Sequence, residues 1–159
     1  MRIARVALGF VGAVAIVLAL CGFAYNFSTI RVDYSNAFGH DIDPYFYHAF
    51  YTMSAICLAC YTLLLYIGVQ MIRGKTDVTR LLVLLIAFEV LYFFAIGSLW
   101  LLPDYGMSIG GATGVANGGL MIQVFSLFPL WAPPVAFIAS RILKDESAAQ
   151  NERGIAVNA

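Results

Sequence analysis

Charge is what this chain has least of. Lysine, arginine, aspartate and glutamate together make up 11% of its 159 residues, against about 25% in an ordinary soluble domain. So few charged side chains cannot cover a water-facing surface, because a small fold leaves much of its area exposed. The formal net charge is zero, which removes any overall pull toward nucleic acid or an acidic partner. Cysteine is also scarce. Cys21, Cys57 and Cys60 all sit in apolar runs, and an odd number so placed is not a secreted disulfide framework. G-x-x-x-x-G-K-[ST] and H-E-x-x-H are absent, so phosphate-loop and zinc-protease chemistry have no anchor. No internal repeat and no nucleic-acid-binding stretch is present.

What fills the space is apolar. Hydrophobic residues make up 62% of the chain, and the mean hydropathy is +0.85. They gather in four stretches, from about Ile3 to Tyr25, Tyr45 to Ile72, Leu81 to Leu102 and Gly119 to Ile142. Each reaches the roughly 20 residues needed to cross about 30 Å of hydrocarbon. Backbone polar groups in lipid must be satisfied within the segment, so the stretches are read as helices. The expected fold is an all-α integral membrane protein, a four-transmembrane-helix bundle in up-down order over residues 1–143. A polar cytoplasmic tail from Lys144 to Ala159 is expected to be frayed. The first stretch starts basic like a signal peptide, but its apolar run is longer than a typical signal core and no small-x-small site ends it cleanly. It is read as a retained helix.

The basic residues set the orientation. Arg2 and Arg5 precede the first span, Arg73, Lys75 and Arg80 lie between the second and third, and Arg141, Lys144 and Arg153 follow the fourth; Arg31 alone is on the other side. Eight of nine on one side makes that side cytoplasmic. Both termini are therefore expected in the cytoplasm of a cell whose inner (plasma) membrane holds the protein, a bacterial one by default. Asp43 followed by Pro44 has the pattern of an N-cap with proline at the first helical position. Tyr45, Phe46, Tyr47, Phe50 and Tyr51, together with Trp100 and Tyr105, suggest aromatic belts at the outer interface.

Two features break the pattern. Gly106, Gly110, Gly114 and Gly118 recur every four residues. On a helix they make a stripe that lets another backbone approach closely, and otherwise they belong to an irregular or re-entrant segment. Pro129, Pro133 and Pro134 then interrupt the fourth span. Each removes a backbone donor, so a kink or break is expected near Pro133. Broken helices line binding sites in transporters.

Glu89 is the leading candidate for chemistry. It lies nine residues past Arg80, which at roughly 1.5 Å per residue is about 13 Å in, near the midplane. An acid there is costly and marks a functional site by default. It has to be protonated, paired or facing a wet cavity, and it could carry a proton or cation. Asn117 and Gln123 belong to the same candidate pathway, with Gln123 expected at about the depth of Ser98. As simple interhelical hydrogen bonds they would contribute roughly 0.6 kcal/mol each. His40, Asp43 and His48 are candidate metal ligands by chemistry, but their spacing matches no metal motif. The sequence names no particular cofactor, and His48, if it faces the bundle, could ligate haem.

Cys57-Leu58-Ala59-Cys60 is a C-x-x-C. With the helix count, it resembles the DsbB and VKOR families of thiol oxidoreductases, which would imply a redox pair beside a quinone. The sequence departs from that pattern. The cysteines lie one to two turns deeper, and no second pair follows between spans three and four. An apolar setting also disfavours the reactive thiolate.

A small bundle with short loops has little room for a water-excluding catalytic pocket. The reading is a non-catalytic subunit of a larger membrane assembly, with itself or other membrane chains as partners and the glycine stripe as contact. The alternatives are a small ion, proton or solute transporter or channel component using Glu89, and a thiol- or haem-linked redox protein.

Overall fold

The computed structural model describes residues 2–31, 44–98, 112 and 114–157. Among these, every regular element is a helix: α1 Arg2–Ile30, α2 Pro44–Ile72, α3 Thr79–Ser98, α4 Gly118–Phe125 and α5 Phe128–Val157. Three of them are long and apolar enough to cross a membrane, and α4 with the first part of α5 passes the same test as a bent pair.

The helices are apolar all round, not on one stripe. Leu84, Leu91, Phe94 and Leu130 are each about two-thirds exposed or more, so hydrophobicity alone does not say which face turns inward. Small residues do. On α1 the buried positions are Ala4, Leu8, Val11, Gly12, Ala15, Leu18, Ala19, Gly22 and Asn26, a stripe at the three- and four-residue spacing of one helix face. Small side chains there bring α1 and α2 into backbone contact. A Cβ added at Gly12 would sit 2.6 Å from the Gly68 carbonyl oxygen, and one at Gly68 would sit 2.7 Å from that of Gly12.

Between α2 and α3 the chain turns on a glycine. Gly74 has a φ of +78°, its N–H donates to the Met71 carbonyl, and Lys75 N–H donates to that of Gln70. Those two bonds form a Schellman cap, whose left-handed position glycine fills without steric cost. α5 returns to the same end, where the Thr79 and Ser140 hydroxyls meet at 2.6 Å and Lys144 Nζ lies 3.6 Å from Asp77.

Several expectations are corrected. α1 runs past Tyr25 to Ile30, and the Ser28 and Thr29 hydroxyls donate back to the Tyr25 and Asn26 carbonyls. The break in the last span is not at Pro133. It falls at Ser126–Leu127, where α4 and α5 meet at 59° and Leu127 takes a left-handed φ of 62°. Pro129 sits in the first turn of α5, where its missing donor costs nothing, and α5 continues through Pro133 and Pro134. Residues 144–157, expected to be frayed, prolong α5. The aromatic belt on α2 is divided: Tyr51 is exposed, while Phe46 and Phe50 are buried against Ala112 and Ala116. Trp100 and Tyr105 lie outside the described residues.

The close glycine contact gives a stability test. Gly68→Ala is expected to destabilise the protein by about 1–3 kcal/mol, the cost of overpacking a closed contact. Gly97→Ala on α3, whose added Cβ would meet nothing within 4 Å, is expected to be neutral or stabilising. Thermal unfolding in detergent compares the two.

Candidate functional site: a buried carboxyl and its polar neighbours

α3 turns a narrow face inward, made of Thr79, Leu82, Leu85, Ile86 and Glu89. Glu89 lies on that stripe, so helical periodicity itself carries the acid into the core, where it is 3% exposed. Gln123 of α4, 1% exposed, faces it. With its amide nitrogen turned to the acid, Gln123 donates to both carboxyl oxygens at 3.1 Å. Among the described residues no basic side chain pairs with Glu89. An amide N–H can donate to a carboxylate and to the carbonyl oxygen of a carboxylic acid. The partner therefore serves the acid whether a proton is bound or not.

Gln123 was expected at the depth of Ser98, and that is corrected. It sits at the level of Glu89, more than two turns away along α3. The early break explains this, because α4 ends at Phe125, two residues after Gln123. Ser126 fastens that break. Its hydroxyl donates to the Gln123 carbonyl at 2.7 Å and accepts the Phe128 N–H at 3.4 Å.

Asn117, the residue before α4, joins three helices. Its side-chain oxygen accepts from the Cys57 thiol at 3.1 Å and from the Tyr92 hydroxyl at 3.2 Å. Its nitrogen lies 3.9 Å from Met53 Sδ. Tyr92 follows Glu89 by three residues, one turn on the same side of α3. Nearby, Asn26 donates to the Ala116 carbonyl at 3.2 Å. Tyr61 is fully buried, and Cβ atoms on Gly22 or Gly119 would collide with it. Among the described residues, Asn26 Oδ1 and Ser54 Oγ have no hydrogen-bond partner.

Beside this cluster a cleft of about 370 Å³ opens between α2 and α3, lined by His48, Ala49, Thr52, Met53, Ile56, Tyr92 and Ile96. His48 is therefore a cleft residue at the end away from Gly74. His40 and Asp43 lie outside the described residues, and no group of three potential metal-ligating side chains occurs among those described. Cys57 and Cys60 are buried and not bridged to each other, three residues apart on α2. Of the glycine stripe, Gly118 packs against Tyr25 inside the chain and Gly114 is half-buried. Gly106 and Gly110 lie outside the described residues.

The structure thus unites Glu89, Gln123 and Asn117, and adds Tyr92, Tyr61, Asn26 and Cys57, which the sequence did not single out for this site. The signal available for Tyr92 was its three-residue spacing from the acid. Asn26 gave one as an amide bordering an apolar run. No protein-family model matches the chain, and comparison with curated proteins and with solved structures likewise finds no match.

The Glu89–Gln123 pair is open to a double-mutant cycle. Gln123→Leu leaves the buried acid without its donor and is expected to cost about 1–3 kcal/mol. Adding Glu89→Leu should recover part of that loss, since removing both polar partners is milder than removing one. Thermal unfolding of the four proteins in one detergent measures the coupling; simple additivity would mean that the two side chains do not interact.

Proposed function

We propose that this chain crosses the inner (plasma) membrane four times in up-down order, with α4 and α5 together forming the fourth span and both ends in the cytoplasm, and that it is a small proton-handling transporter or channel component working through Glu89. The observation that carries this reading is the pairing of a buried mid-helix acid with Gln123 of a segment that breaks three residues later. A carboxyl with an amide partner, and among the described residues no cluster of anionic ligands around it, suits a proton better than a divalent metal. Orientation draws support from position. The start of α1, the Gly74 turn and Lys144 of α5 meet at one end, and they carry most of the basic residues.

Glu89→Gln keeps a hydrogen-bonding side chain of nearly the same shape and removes the ionisable group. In proteoliposomes with an imposed potential and an internal pH dye, wild-type protein should move protons and Glu89→Gln should not, with both equally folded. Equal flux from the two proteins would reject the role of Glu89.

A second reading is a non-catalytic subunit of a larger membrane assembly, homo- or hetero-oligomeric. It is favoured by the uneven covering of α3, whose outer face leaves Leu84, Leu91 and Phe94 bare. Gly118, spent on an internal contact, does not support the glycine stripe as the contact surface. Native mass spectrometry of protein taken from its own membrane in mild detergent should show a multimer or added subunits. A bare monomer counts against this reading.

A further inference from the structure

The polar groups around Glu89 are not spread evenly along the core. Toward the Gly74 turn, the buried side chains next to the acid are Leu64, Ile67 and Met71 on α2 and Leu82, Leu85 and Ile86 on α3. They form an apolar plug. Thr79 and Ser140 lie beyond it, bonded to each other. Six residues of helix cover about 9 Å, so the plug separates Glu89 from the turn by a full layer of hydrocarbon side chains. A proton cannot cross such a layer without a polar or hydrated path.

The opposite direction differs at the first turn. Tyr92 follows Glu89, and its hydroxyl reaches Asn117 while its side chain also lines the cleft that opens toward His48 and Thr52. Cys57, Tyr61 and Ser54 lie at successive turns of α2, and Asn26 faces them from α1. Two of these side chains, Asn26 and Ser54, are at least 99% buried and each holds an unpartnered polar atom. Buried polar groups normally find partners in protein or in water. The buried polar side chains thus lie level with the acid or on its far side from the turn, and the plug has none.

From this asymmetry we infer that Glu89 is reached from one side only, through the α2–α3 cleft past Tyr92, so that it binds and releases its proton on the side opposite the Gly74 turn. The groups facing the acid along this route are Gln123 from α4, Cys57, Cys60 and Tyr61 from α2, and Tyr92 from α3 itself. This rests on the four-span membrane reading; it does not require that protons complete a crossing.

Cysteine accessibility tests it without any flux measurement. In a Cys21→Ser, Cys57→Ser, Cys60→Ala background, single cysteines replace Ile56, Ile96, Glu89, Leu64 and Thr76. A membrane-impermeant, positively charged thiosulfonate is added to one face of sealed vesicles at a time. It reacts with thiolate, and so with hydrated positions and not lipid-facing ones. Ile56→Cys, Ile96→Cys and Glu89→Cys should react from the face opposite the turn, and Leu64→Cys from neither. Labelling of Leu64→Cys or Glu89→Cys from the face of the turn would overturn the inference, as would silence at both Ile56→Cys and Ile96→Cys. Thr76→Cys, in the turn, should react only from the other face. Thr76→Cys and Ile96→Cys reacting from the same face would instead overturn the membrane reading on which the inference rests.

Discussion

Gly12 and Gly68 bring the backbones of α1 and α2 into direct contact, and the later positions follow from that approach. Because these helices run so close, Gly22 of α1 lies against the Tyr61 ring of α2. The same ring meets Gly119, which seats the start of α4 in the notch between them. Once Gly119 is seated, Asn117 comes within reach of Cys57 and Tyr92, and Gln123, one turn further, faces Glu89. A contact between two residues without side chains thus sets, at a distance, the hydrogen bonding of a buried acid.

Where hydrophobicity points in all directions, burial of apolar area cannot specify one arrangement. Small residues and polar pairs carry the specificity instead. Interhelical hydrogen bonds are individually modest, roughly 0.6 kcal/mol. Their geometric demand is stricter than their energy, because a misplaced partner leaves a polar atom stranded among hydrocarbon. Glu89 with Gln123, and Asn117 with its two donors, act as register marks that fix how far α4 slides along α3. The Thr79–Ser140 hydroxyl pair does the same for α5 near the turn.

Much of this was legible in the sequence. The four apolar stretches, their approximate ends and the standing of Glu89 follow from hydropathy and the cost of an acid in an apolar run. Its partner did not follow, because the break in the last stretch was expected ten residues past Gln123, at Pro133, and not at Ser126–Leu127. Proline drew the expected break to Pro133, yet Pro129 falls where a helix accepts proline, and the reversal is made by Leu127, a residue with no left-handed preference. The glycine contacts of the core were hidden for a different reason. A four-residue repeat is visible in one segment, whereas Gly12 and Gly68 lie in different helices, and nothing local in either shows that they meet. The same holds for Gly22 and Gly119, which touch through a tyrosine on a third element.

The seat of α4 also bears on the order in which the protein takes shape. Chains emerge from synthesis N-terminus first, so α1, α2 and α3 exist before Gly118–Phe125 does. Tyr61 and Gly22 can meet as soon as α1 and α2 pair, but Glu89 acquires its donor only when α4 arrives. During that interval the acid has no amide to answer it and stays beside the open cleft or in contact with water. Docking of Gly118–Phe125 is therefore the step that gives the acid its donor, into a notch that α1 and α2 can form beforehand.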